Sequence, residues 1–359
     1  MKKVLIIALA LLSLLSIMTG CQNNNDTKDP TDPVNSTDQT QPSEQPAEPD
    51  DQQPSEPAEL KEVTVVLDWV PNTNHTGLSV ALEEGYFEEE GLKVKIIQPT
   101  EGGSADLIAA GQGEFGISYQ EQVTYARTSA NALPVKAIAA ILQHNTSGFA
   151  SPADKEILTP KDFEGKKYGG WNSPMEEAIL KGMMSLKGAD FSKLEMISVG
   201  AIDYFTAVTE HVDFTWIYYG WDGVAAELKD FPINFIKLQD VDPRLDSYTP
   251  VIVANEELLN NDPELAKSFL RAAAKGYEFA IENPEAAVEH LLANAPEVDR
   301  EIATASQKYL ANEYKEEGEV WGEMELKMWE EYGAWMHEKG LIETELNAGE
   351  AFTNEFLPK

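Results

Sequence analysis

Cysteine is almost missing: Cys21 is the only one in 359 residues. A lone thiol excludes an intrachain disulfide and any metal site built from cysteines. Basic residues are scarce too, 27 Lys and Arg against 62 Asp and Glu, for a net charge of −35. Such a surface repels phosphate backbones, which excludes nucleic acid as a partner. The five histidines, His75, His144, His211, His290 and His337, form no His-x-x-x-His pair, so no metal constellation is expected. Neither a Gly-x-Ser-x-Gly elbow nor a Walker-type loop is present, and no cofactor is expected. The long apolar run is confined to residues 4–18, interrupted by Ser13 and Ser16, and is too short to span a bilayer comfortably.

What stands at that end is a processing signal. Lys2 and Lys3 precede the apolar run, and Thr19-Gly20-Cys21 closes it. A cysteine directly after small residues resembles the lipobox of bacterial lipoproteins, with Met18 where the pattern usually has Leu. That resemblance implies lipidation of Cys21 and a two-chain anchor, which holds a protein firmly to a membrane. The alternative is a plain secretory signal with an incidental cysteine. Either way an exported protein is expected, with residues 1–20 as its signal peptide. Residues 21–60 read as an acidic, Pro-rich tether. Between 22 and 59 there is no aromatic residue and no Gly, while Pro30, Pro33, Pro42, Pro46, Pro49, Pro54 and Pro57 are spread through it. Nothing there offsets the entropy of ordering, and the prolines keep it extended.

The remaining 300 or so residues suffice for two α/β lobes. Strands are expected at 63–67, 93–97, 115–119 and 135–142, with helices between them, then again at 167–169, 194–199, 213–217 and 235–238. That alternation predicts mainly parallel sheets covered on both faces. An apolar strand at 248–254 suits a return to the first unit. The organisation expected is lobe 1 at 61–147, lobe 2 at 148–247 and lobe 1 again at 248–359. Met324, Met328, Trp329, Tyr332, Trp335 and Met336 recur at helical spacing, a stripe expected to pack in the core.

Three segments point further. They are 67–77 (Leu-Asp-Trp-Val-Pro-Asn-Thr-Asn-His-Thr-Gly), 84–92 (Glu-Gly-Tyr-Phe-Glu-Glu-Glu-Gly-Leu) and 111–116 (Gly-Gln-Gly-Glu-Phe-Gly). Together they resemble the NMT1/THI5-like (ThiY-type) substrate-binding proteins, over about residues 62–359. The resemblance implies a type II periplasmic-binding-protein fold, two α/β lobes closing on a ligand. It also implies a lipoprotein of an ABC importer, with permease and ATPase subunits as partners, carrying pyrimidine precursors of thiamine. A monomer, anchored on the outer side of the cell membrane, is expected. The same fold occurs in a pyrimidine synthase that consumes one of its own histidines, and His75 lies in the matching stretch. That enzyme's cysteine-rich motif has no counterpart here, so a non-enzymatic protein is expected.

In open α/β sheets the ligand lies beyond the carboxyl ends of the strands, which singles out loops 68–76, 101–106, 118–125, 143–150, 168–178, 201–207 and 216–223. They are rich in aromatics and acids, Asp68, Glu101 and Glu121 among them, and contain no Lys or Arg. Rings sandwich a flat ligand, and carboxylates accept from its N–H groups. Nitrate and sulfonates instead favour Arg or Lys, though helix N-termini alone can hold anions. Riboflavin and those anions are the rival solutes. By resemblance, Trp69 and Tyr218 are the stacking pair, and Asp222 stands where the family often has Glu. Asn72 and His75 either reach the ligand or cap the following helix. Ser147 either donates to the ligand or satisfies its own turn. Trp171 is a candidate wall of the cleft. Glu176 either contacts the ligand or complements a helix dipole.

Overall fold

Among the described residues there are ten strands, most of them built from short β-branched and aliphatic runs. They are β1 (Lys61–Val66), β2 (Leu92–Ile97), β3 (Phe115–Ser118), β4 (Val135–Ala140), β5 (Ser147–Pro152), β6 (Lys167–Gly170), β7 (Glu195–Ser198), β8 (Phe214–Tyr218), β9 (Ile233–Lys237) and β10 (Val251–Asn255). The computed structural model describes residues 59–98, 103–200, 202–316 and 320–359. The expected signal peptide, Cys21, the tether to residue 58 and Glu101 lie outside the described residues.

The strands make two five-stranded sheets, ordered β2-β1-β3-β10-β4 and β7-β6-β8-β5-β9. In the first, β1 runs parallel to β2 and β3, while β10 is antiparallel to β3 and β4. In the second, β6 runs parallel to β7 and β8, while β5 is antiparallel to β8 and β9. Each sheet therefore holds one reversed strand that came from the other sheet. Reversal has a geometric consequence. The start of β5, Ser147, pairs with Tyr218 at the end of β8, and the start of β10, Val251, pairs with Ser118 at the end of β3. Both crossovers thus join the carboxyl edges of the two sheets.

The sequence reading missed β5. Ser-Gly-Phe-Ala-Ser-Pro shows neither strong alternation nor a β-branched run, and residues 143–150 were expected to be loop. All six residues of β5 are buried, so tertiary pairing, not local propensity, makes the strand.

Each sheet has its own core. Phe115 of β3 stacks on Phe269 of the Pro263–Glu282 helix at 4.0 Å, and Phe163 stacks on Phe214 of β8 at 4.3 Å. The C-terminal helices do not belong to the first sheet alone. Along the Leu326–Glu338 helix, Trp329 packs with Val66, Ile108 and Val253 of the first sheet's layer, whereas Trp335 and Met336 pack with Met183 and Phe214 of the second. The aromatic stripe is buried as expected, but it staples both sheets because one helix face spans the seam.

The turn after β1 is anchored by an approach that only glycine permits. Gly77 and Gly276 let the Thr76–Glu83 and Pro263–Glu282 helices touch. A Cβ on Gly276 would stand 2.0 Å from the Gly77 carbonyl oxygen, and one on Gly77 would stand 2.3 Å from the Tyr277 ring.

Candidate functional site

β1 ends in a turn whose polar groups satisfy one another. The Asn72 side chain accepts from the Asn74 N–H (2.9 Å) and donates to the Val70 carbonyl (3.0 Å). The Asn72 backbone N–H donates to His75 Nδ1 at 3.2 Å. His75 Nδ1 is therefore an acceptor, and Nε2–H donates to Asp68 Oδ1 at 2.7 Å. The Tyr119 hydroxyl donates to Asp68 Oδ2, also at 2.7 Å. Burial pushes the Asp68 carboxyl up, but the His75 ring and the bonds from His75 and Tyr119 outweigh it and hold the group below the usual carboxylate range.

Pinned between Asp68 and Asn72, Trp69 is left 55% exposed. Trp321, Trp329 and Trp335 are essentially fully buried, so the fold can hide an indole when packing is all that is required. Leaving one bare forgoes roughly 1.5–3 kcal/mol of burial, and Trp69 is held bare by a rigid turn.

The second sheet presents a matching edge. Tyr218, the last residue of β8, is 43% exposed. Its hydroxyl is the sunken end. Burial and the nearby carboxylates of Glu121 and Asp68 push it up to about 12, against a hydrogen bond with Thr249. Tyr218 of the second sheet thus lies within electrostatic range of Asp68, in the turn after β1, and of Glu121, in the Gln120–Thr128 helix after β3. A π-helical turn follows at Tyr219–Gly223, a form that often marks functional sites. Within it Asp222 is pushed up to about 6 by burial and by Asp203. Trp171, beyond β6, is 61% exposed.

Glu176 is bonded within its own loop and helix start. Its carboxylate accepts from the Tyr168 hydroxyl (2.7 Å), from the Trp171 N–H (3.0 and 3.1 Å to the two oxygens) and from the Ser173 N–H (2.7 Å). It closes the capping box of the Pro174–Leu186 helix, and a Cβ on Gly170 would stand 2.2 Å from its Oε1.

The eight expected residues thus separate into two groups. Trp69, Trp171 and Tyr218 offer bare rings, and Asp222 has no hydrogen bond or ion pair with the described residues. Asn72, His75 and Glu176 are internally bonded. So is Ser147, whose N–H and hydroxyl both donate to Asn145 Oδ1 (2.9 and 2.6 Å). Each of these four has short-range partners at hand. Asp222 neighbours Asp203, Tyr204 and Lys229, not the Asp68–Tyr218 group. Lys229 lies outside the seven loops, over the Phe205 ring at 3.9 Å, so the second lobe's edge is not wholly without a base.

The sequence reading did not single out Asp68, Tyr119 or Glu121 as site residues. All three lie in the selected loops, but hydrogen-bond pairing between residues 51 positions apart leaves no local signal.

Comparison with known proteins bears on this site. A family model described as NMT1/THI5 like matches residues 72–287. A formylaminopyrimidine-binding protein of Halalkalibacterium halodurans is 31% identical over 304 residues, covering 82% of this chain and 90% of the relative. A 4-amino-5-hydroxymethyl-2-methylpyrimidine phosphate synthase of Legionella pneumophila is 23% identical, covering 82% and 92%. Among solved structures, the periplasmic aliphatic sulphonate binding protein SsuA of Escherichia coli superposes with a TM-score of 0.63 at 12% identity, covering 83% and 94%. The fold is therefore that of the periplasmic binding proteins, two α/β sheets joined at their carboxyl edges.

Proposed function

The chain belongs to the NMT1/THI5-like family, and from that premise we propose that it is the ligand-capturing lipoprotein of an ABC importer, specific for a flat, N–H-bearing heterocycle of the thiamine pyrimidine precursor class. The observation behind this reading is the exposed Trp69 indole after β1 and the exposed Tyr218 phenol at the end of β8, on different sheets, with the carboxylates of Asp68 and Glu121 in electrostatic range of Tyr218. Exposed rings gain when they stack on a planar guest, about 0.5–1.5 kcal/mol per contact beyond area burial. Acids select guests that donate N–H. The name of the 31%-identical relative, a formylaminopyrimidine-binding protein, supports the same class.

Lipidation at Cys21 tethers the protein to the outer face of the cell membrane, where it meets the permease that the ATPase drives. Closure of the lobes on the ligand is the signal the permease reads. A synthase role, as in the name of the Legionella relative, fits the residues less well. No Lys stands in the seven loops to form a Schiff base, and His75 is committed to Asp68 and the Asn72 backbone.

The test is a tryptophan-fluorescence titration of the purified chain with hydroxymethyl- and formylaminopyrimidines, riboflavin, taurine and nitrate. Saturable quenching by the aminopyrimidines at micromolar concentration, about −8 kcal/mol, is expected. Saturation by taurine or riboflavin with no response to aminopyrimidines would overturn the ligand class. Mass spectrometry of the membrane-derived protein should find a diacylated Cys21 at the mature N-terminus, and a free thiol there would remove the anchor.

A further inference from the structure

Trp69 and Val70 are both exposed, yet the chain is fixed on either side of them. After them comes the short Thr73–His75 helical turn. Its cap, Asn72, also donates to the Val70 carbonyl at 3.0 Å, and the Tyr277 hydroxyl donates to the Asn74 carbonyl at 2.8 Å. Before them stands Asp68. Its side chain is 3% exposed, so a buried carboxylate adjoins a bare indole in the chain.

A buried carboxylate is costly unless its oxygens find donors. Oδ1 has the His75 Nε2–H and Oδ2 has the Tyr119 hydroxyl, both at 2.7 Å. The two donors come from different parts of the chain. His75 belongs to the same turn, and the Asn72 N–H on its Nδ1 at 3.2 Å fixes its tautomer and its ring. Tyr119 directly follows β3. The β1–β3 ladder ends at Val66 and Gly116, so the Tyr119 bond joins the two strand ends beyond their last backbone pair. With both oxygens engaged and the side chain buried, Asp68 is not placed to touch a ligand. What it holds is the residue next to it.

We infer that Asp68 is a positioning residue of the binding site: gripped by His75 and Tyr119, it sets the direction in which Trp69 presents its ring. This deepens the proposed function and rests on its reading of Trp69 as a stacking surface. The gain is preorganisation. An indole already held in its bound orientation is spared the loss of freedom that a loose side chain meets on binding. Asp68 therefore acts on the ligand only through Trp69, and Tyr119 only through Asp68.

The experiment is a double-mutant cycle on the full chain. Tyr119→Phe removes one donor and keeps the ring, and Asp68→Asn leaves an acceptor for only one of the two donors. Each is made alone and together with Trp69→Ala, and a hydroxymethyl aminopyrimidine is titrated by calorimetry. With Trp69 present, each should weaken binding roughly threefold or more, within the roughly tenfold that a stacking ring supplies. With Trp69→Ala, neither should weaken it further by as much as about twofold, because coupled residues do not add. Should Asp68→Asn not fold, Tyr119→Phe carries the comparison alone. Time-resolved fluorescence anisotropy of the free protein gives a second reading. Tyr119→Phe should enlarge the nanosecond depolarisation, and the increase should vanish in the Trp69→Phe chain. Equal losses of affinity with and without Trp69, or unchanged affinity and anisotropy in Tyr119→Phe, would overturn the assignment. A wild-type chain that binds no aminopyrimidine would instead remove the ligand class, and the anisotropy would still decide whether Asp68 holds the indole.

Discussion

The Thr73 and Ser306 hydroxyl oxygens lie 2.6 Å apart with both residues buried. Ser306 has one proton, and it is given to the Gly220 carbonyl. The proton between the two hydroxyls is therefore Thr73's. Tyr314 adds a bond from its hydroxyl to the Thr73 carbonyl at 2.6 Å. The relay runs from the turn that follows Trp69, through the Arg300–Leu310 helix, to the π-helical turn that follows Tyr218. One buried serine thus ties together the two loops that present the bare rings.

Removing that serine's hydroxyl has a definite consequence. Ser306→Ala removes a partner from the buried Thr73 hydroxyl and from the Gly220 carbonyl, at a cost of about 1–3 kcal/mol. The denaturant midpoint should fall accordingly. Ligand affinity measured on the folded fraction should fall as well, because both loops lose their common anchor. Ser306→Ala with an unchanged midpoint would show that the relay does not hold the loops.

Exposed rings predict the opposite pattern. Trp69 contributes little to packing, so Trp69→Ala should leave the melting temperature nearly unchanged, within about 0.5 kcal/mol of wild type, whereas Tyr218→Ala also removes a hydroxyl bonded to Thr249 and should cost about 0.5–1.5 kcal/mol. Each should weaken aminopyrimidine binding by roughly tenfold, through the lost stacking and the lost cover against water. Trp69→Ala should also abolish much of the fluorescence response. Full affinity in both variants would mean that the guest lies elsewhere.

Glu176 should behave as a structural group. Gln in its place puts an amide NH₂ where the Ser173 and Trp171 N–H groups now donate, and like donors oppose one another. Glu176→Gln is expected to destabilise the fold by about 1–3 kcal/mol. It should affect binding less than Trp69→Ala when affinity is referred to folded protein. Calorimetric unfolding beside a titration separates the two effects, and a purely binding defect would return Glu176 to the ligand.

The difference between these residues explains what was legible in the sequence. Trp69 lies just past β1 and Tyr218 closes β8, strands whose hydrophobic runs are plain, so both fell in the loops chosen from strand ends, while their pairing was proposed from the family resemblance. The two-lobed pattern followed from strand–helix alternation and the return strand near 250. Glu176 and Ser147 also sit past strand ends, but their roles depend on Tyr168, Trp171 and Asn145 turning toward them, and local sequence does not encode side-chain direction. β5 escaped because its stability comes from lying between β8 and β9. The Asp68–Tyr119 and Thr73–Ser306 bonds join residues 51 and 233 positions apart, a pairing that only the folded chain reveals.

The crossovers supply a pH-dependent contact. His144 Nδ1 bonds Asp246 at 2.7 Å, and Nε2 bonds Glu316 at 2.9 Å. Asp246 also accepts from the Asn145 N–H at 2.9 Å, so the first crossover is clasped to the second. With an acceptor on each nitrogen, the ring is held as imidazolium. The bond to Asp246 outweighs the opposing effect of burial and, with Glu316, raises the group from 6.5 to about 9. Because the folded value exceeds the unfolded one, this clasp stabilises the fold fully below about pH 6.5, and its contribution is lost as pH rises through about 9. The side chain is 36% exposed, so water and salt weaken the contact and the effect should shrink in high salt. Melting temperatures recorded from pH 6 to 10 should decline for wild type across that window and decline less for His144→Ala. Parallel curves for the two proteins would show that the imidazolium does not clasp the crossovers.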